Sequence, residues 1–172
     1  MSLLSRLFHR RDARENMLPL YEAVVAEGRR PHWYAQGAAP DTLDGRFDMI
    51  AAILSLVLLR LEREGSKQQE SVWLTETFID DMDGQLRQLG IGDVVVGKHI
   101  GKMMSALGGR LTAYRSAIAA DGDLDEALVR NLYRGEAPDG AALAHVANGL
   151  RTFAAGLDLL SVAAILGGRL PE

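Results

Sequence analysis

The chain has 172 residues, 48% apolar and 24% charged, which suits one globular domain with a real core and excludes a disordered or fibrous chain. It has no cysteine, so disulfides, thiolate metal sites and cysteine nucleophiles are excluded. The net charge is −4, with about +3 carried by Arg6, Arg10, Arg11 and Arg14 against Asp12, so the acidic body lacks the basic face that nucleic-acid binding needs.

In chain order, the first element is a basic amphipathic segment, residues 1–15. Leu3, Leu4, Leu7 and Phe8 share one side of a helix with Arg6 and Arg10 beside them, a pattern suited to peripheral contact with anionic lipid through residues 1–14. A helical domain over 16–172 follows. Met17–Glu27 reads as a short helix stopped by Gly28, and Pro31 starts a further turn. Residues 37–45 read as loop. From Phe47 to Glu64 the residues are apolar nearly all round, the mark of a central helix packed on several sides, and Gly65-Ser66 breaks it. Helices are predicted over 67–89 and 94–119, joined by a turn in which Gly90 is the C-cap and Asp93 the N-cap.

Asp121-Gly122-Asp123 leads into a helix over 124–133. A last helix is predicted over 141–166, with Leu143, Val146, Leu150, Phe153, Leu157, Leu160 and Ala164 at 3-4-3-4 spacing, before Gly167-Gly168 ends it. No strand pattern, repeat or spanning segment emerges. Met49–Leu59 is shorter than the roughly 20 residues a membrane helix needs. The expected fold is all-α, a single compact domain of about six or seven helices, soluble and without an export signal.

Chemistry finds little purchase. Placing Gly45 or Gly84 at the sixth position of a calcium loop leaves too few oxygens in the ligand positions. His9, His32, His99 and His145 form no pair at helical spacing, and no Glu-x-x-His motif occurs. Nucleophile-elbow, phosphate-loop and dinucleotide fingerprints are all missing. The expectation is no enzyme, no metal and no cofactor. His32, His99, Met103 and Met104 are weak haem-ligand candidates only.

Gly97, Gly101, Ser105, Gly108 and Thr112 recur every three or four residues along the long helix. Glycine inside a helix costs about 1 kcal/mol relative to alanine, so such a stripe asks for compensation by a closely approaching helix, of this domain or of a partner. Lys98, Lys102, Arg110 and Arg115 lie on the same helix.

At the start of the central helix stands Pro40-Asp41-Thr42-Leu43-Asp44-Gly45-Arg46-Phe47-Asp48-Met49. With Asp81-Met82-Asp83, Leu86-Arg87, Gly90-Ile91-Gly92-Asp93, Val96-Gly97-Lys98, Gly109-Arg110 and Ala113-Tyr114, it resembles the ubiquinol–cytochrome c chaperone family, whose signature reads PDTxDGRFDM. The motifs occur in the family's order and span Tyr21 to Ile118. Residues 120–172 carry none. Ala52-Ile53, Gln88 and Leu107-Gly108 depart from the family's Leu-His, Glu and Phe-Tyr.

The resemblance implies an assembly factor that binds newly made cytochrome b and supports assembly of respiratory complex III. It also implies a small helical partner or the ribosome as further contacts, and work in the cytoplasm or at the inner face of the cytoplasmic membrane. The other reading is a helical scaffold for soluble partners. The candidate client-binding face is Gly97, Lys98, Gly101, Lys102, Ser105, Gly108 and Arg110. The signature residues form a structural clasp: Asp41, Asp44, Gly45, Arg46, Phe47 and Asp48, with Asp80, Asp83, Arg87, Asp93 and Tyr114. Within it Asp44 is the expected N-cap, Asp48 is expected in the first turn, and Arg46 is expected to tie the loop to Asp80 or Asp83.

Overall fold

The computed structural model describes the backbone of residues 14–88, 93–119 and 122–171, and their side chains except at 86–100, 102 and 103. The described residues form helices and no strand. They are α1 (Leu18–Gly28), α2 (Pro31–Ala35), α3 (Leu43–Arg63), α4 (Gln68–Gln88), α5 (Asp93–Ile118), α6 (Leu124–Asn131), α7 (Gly140–Leu159) and α8 (Val162–Leu166). Six are substantial helices, and α2 and α8 have five residues each.

The apolar run becomes the centre of the fold. Met49 to Leu58 are all buried, and α1, α4, α5 and α7 surround α3. Burying a leucine or isoleucine side chain contributes about 1.5–3 kcal/mol, so this unbroken run is the main source of cohesion. α1 lays Leu20, Tyr21 and Val24 against it. At their crossing the backbones nearly touch, since a Cβ on Gly28 would stand 2.9 Å from the Ile50 Cα. Trp33 fixes α2 to α7: its ring fills the notch at Gly149, where a Cβ would come within 2.7 Å, and its Nε1 donates to the Glu27 carbonyl at 2.9 Å.

The predicted last helix breaks. α7 keeps the seam Val146, Leu150, Phe153 and Leu157, but Leu160 is extended (φ −93°, ψ 142°) and Ser161 caps a separate α8, accepting from the Ala164 amide at 3.2 Å. Arg60 of α3 receives the carbonyls released at the break: its Nε donates to Leu157 O at 3.2 Å and its Nη2 to Leu160 O at 3.3 Å. α8 then turns back onto α1. Gly168, at φ +88°, lies against Pro19, whose carbonyl oxygen would be 2.8 Å from an added Cβ. No helix among the described residues is long and apolar enough to cross a membrane.

Candidate functional site

The signature segment starts α3, but its caps differ from expectation. Thr42 is the N-cap, its Oγ1 accepting from the Gly45 amide at 3.1 Å. This displaces Asp44 into the first turn, where the helix dipole favours a carboxylate. Gly45 is indispensable to the turn, because a Cβ there would be 2.0 Å from the Pro40 carbonyl oxygen.

Asp48 lies beyond the first turn and is fully buried. It sits between two arginines: Arg110 Nη2 donates to its Oδ1, and Arg134 Nε donates to its Oδ2 at 2.7 Å. Arg134 also donates through Nη1 to Asp44 at 2.8 Å, which closes a four-residue network. Burial pushes the Asp48 carboxyl up, against the pull of the hydrogen bond from Arg134 and the charge of Arg110. The guanidinium of Arg110 lies 5.2 Å from the centre of the Phe47 ring, which itself stacks on Phe78 at 5.4 Å. One turn further along α5, Tyr114 is fully buried. Burial drives its hydroxyl far above the usual phenolic range.

The signature segment is held by a network whose partners differ from those expected. Arg46 reaches neither Asp80 nor Asp83; its Nε donates to Asp41 at 2.6 Å on the exposed loop. The hydrogen bond from Arg46 holds the Asp41 carboxyl below its ordinary range. Asp80 instead takes Arg14, and Asp81 accepts the Tyr21 hydroxyl at 2.6 Å. Asp83 lies on α4. The side chains of Arg87 and Asp93 lie outside the described residues, although Asp93 does open α5.

Sequence reasoning missed Arg134, the residue that links both aspartates. It sits in the left-handed region (φ 54°), just before Gly135 at φ 93°. A non-glycine residue held there signals a constraint, here the double salt link. The only trace in the sequence is the Arg134-Gly135 pair at the end of a short helix.

The small-residue stripe lies in the open. Gly101, Ser105, Gly108 and Thr112 are exposed, and a Cβ built on Gly101, Gly108 or Gly109 would meet nothing within 4 Å. Over this length no described helix covers it, so the glycines' helix cost has no compensation among the described residues. Met104 is 42% exposed beside it. Gly97 continues the helix backbone, while the side chains of Lys98 and Lys102 lie outside the described residues. Arg110 does not belong to this face. It points inward to Asp48 and is only 9% exposed, because the buried carboxylate needs its charge.

No group of three or more His, Asp or Glu among the described residues is arranged to hold a metal ion. A depression of about 880 Å³ between α1 and α4 is an open groove, not a closed pocket.

Fold and site define an all-α, single-domain protein that offers open helical surfaces. A family model described as ubiquinol-cytochrome C chaperone matches residues 36–171, so the chain belongs to that family. The match carries through α6, α7 and α8, where no motif was legible. A crystal structure of the Cbp3 homolog from Brucella abortus is similar to it, at 31% identity and a TM-score of 0.79 over 98% of this chain and 95% of that one. No curated protein matches the chain.

Proposed function

We propose that this chain binds newly made cytochrome b at the exposed face of α5 and supports assembly of the ubiquinol–cytochrome c oxidoreductase at the inner face of the cytoplasmic membrane. Family membership carries the reading. The face suits the task physically. Its glycines and serine let a client helix approach closely, and packing against small residues is how apolar transmembrane helices associate. A client made of such helices would supply the compensation that no described helix gives at Gly101 and Gly108.

The test uses Gly101→Leu with Ser105→Leu. Both sites are exposed, so the double variant is expected to melt within about 3 °C of the parent. Pull-down from detergent-solubilised membranes should recover cytochrome b with the parent chain and lose it with the variant. Equal recovery by both rejects this face. Recovery of soluble proteins alone by the parent rejects the client. A deletion strain should show lowered cytochrome b and quinol oxidase activity.

A further inference from the structure

The open groove between α1 and α4 has an apolar floor of Leu18, Val25 and Ala26, and acidic flanks of Glu15, Glu22, Asp80 and Asp81. Leu18 is 44% exposed there. Asp80 is engaged by Arg14, and Asp81 by Tyr21 and Gln85. Glu15 and Glu22 have no ion-pair partner among the described residues. Arg29 also lines the groove, and its single positive charge leaves the two glutamates in excess, so uncovered apolar surface meets a net negative rim and its occupant should be basic and amphipathic.

The chain carries such a segment at the groove's mouth. Arg14 lines the groove and is pinned by two carboxylates of α4, Asp80 and, at 3.5 Å, Glu76. The backbone turns between Arg14 and Met17, where the Met17 amide donates to the Arg14 carbonyl at 2.9 Å. Arg14, the first described residue, thus stands at the groove beside α4. Residues 1–13 hold Leu3, Leu4, Leu7 and Phe8 with Arg6, Arg10 and Arg11. As a helix, thirteen residues would span about 20 Å, comparable with the roughly 16 Å of the eleven-residue α1.

We propose that the α1–α4 groove is the seat of the chain's own residues 1–13, with their apolar side on Leu18, Val25 and Ala26 and their arginines toward Glu15 and Glu22. Tethering strengthens the argument. A segment attached at Arg14 experiences an effective concentration on the order of millimolar, so weak pairing suffices for occupancy. The inference is independent of which client α5 receives.

The chain has no cysteine, so Leu7→Cys gives the full-length protein a single spin-label site. In a ¹⁵N-labelled sample, the amides of Ala26, Thr77 and Gln85 should be broadened by the label, and those of the exposed α5 face should not. Glu15→Lys with Glu22→Lys, both exposed and expected to leave the fold intact, should reduce the broadening roughly three- to tenfold. Unbroadened groove amides overturn the proposal, as does broadening that ignores the charge reversal. Mixing ¹⁵N-labelled chains with spin-labelled, unenriched chains separates cis from trans. Broadening that appears in that mixture at the same strength assigns the groove to a second copy and also overturns the proposal.

Discussion

Asp48→Asn removes one charge and almost no volume, which isolates the electrostatics of the buried network. Two arginines lose their partner, but unequally. Arg134 has a side chain 51% exposed and keeps Asp44, so it can turn to solvent at little cost. Arg110 has a side chain only 11% exposed, and its remaining acceptor is the Asn131 carbonyl at 3.5 Å, the limit of a hydrogen bond. An uncompensated buried charge costs about 3–5 kcal/mol. For a chain of this size each kcal/mol lowers Tm by about 2–4 °C, so the expected drop is about 6–20 °C.

Urea denaturation followed by circular dichroism at pH 7 checks it, with an unchanged m-value showing that the unfolding remains the same transition. A loss below about 1 kcal/mol refutes the reasoning. The companion variant, Asp48→Leu with Arg110→Met, removes both charges from the interior and should be close to neutral, because the pair's mutual attraction barely repays its desolvation. The raised Asp48 carboxyl pulls against the loss expected of Asp48→Asn, since burial favours a neutral side chain at this site, but Arg110 left with one acceptor at the limit of a hydrogen bond decides the sign. Above the ordinary value of 3.8 the folded chain holds this proton more tightly than the unfolded chain, so this group's share of stability falls as pH rises through that window.

Gly45→Ala should cost at least about 2 kcal/mol in the same urea titration, since the new Cβ collides with the Pro40 carbonyl at 2.0 Å and backbone must shift. Arg46→Ala should move Tm by no more than about 2 °C in differential scanning calorimetry, because its pair with Asp41 is exposed; a large loss would restore the structural role expected from the sequence. His32 Nδ1 lies 3.1 Å from His145 Nε2. Burial, Arg30 and His145 together hold its pKa below the ordinary 6.5. The unfolded chain therefore takes up the proton first, and stability should fall as pH drops below about 6.5. His32→Gln should flatten that part of the pH–Tm curve; an unchanged slope assigns the effect elsewhere.

Much of the architecture was legible because helical periodicity and punctuation agree. The run from Met49 to Leu58 could only be a helix buried on all sides, and Gly28 and Gly65 ended their helices where a stop was expected. The break at Leu160 was not legible: the seam spacing continues through it, and the carbonyls it exposes are rescued by Arg60, about a hundred residues earlier. The network around Asp48 was only partly legible. Its aspartates stand in one short stretch, but the choice among partners for Asp44, Asp48 and Arg46 depends on which loops return to that end of α3. Charge type names a class of partner; only the chain path gives Arg46 Asp41 instead of Asp80, and brings Arg134 to Asp48. The stripe on α5 was visible as a pattern, yet nothing in a spacing distinguishes a seat for the chain's own helix from one left open.

The contact between Gly168 and Pro19 brings together residues about 150 positions apart, a longer span than that from Arg60 to Leu160 or from Trp33 to Gly149. Closing a loop of that length costs entropy of about 4 kcal/mol on a simple ring-closure estimate, incurred before the docking contacts compensate it. The helices can form in microseconds, but the return of α8 onto α1 waits for the body between them to assemble. Folding should therefore run at two speeds, with a late step felt at Pro19 and Gly168 together. Amide exchange would show that seam opening at lower free energy than the centre of α3, so the two ends of the domain loosen as one unit while its middle stays shut.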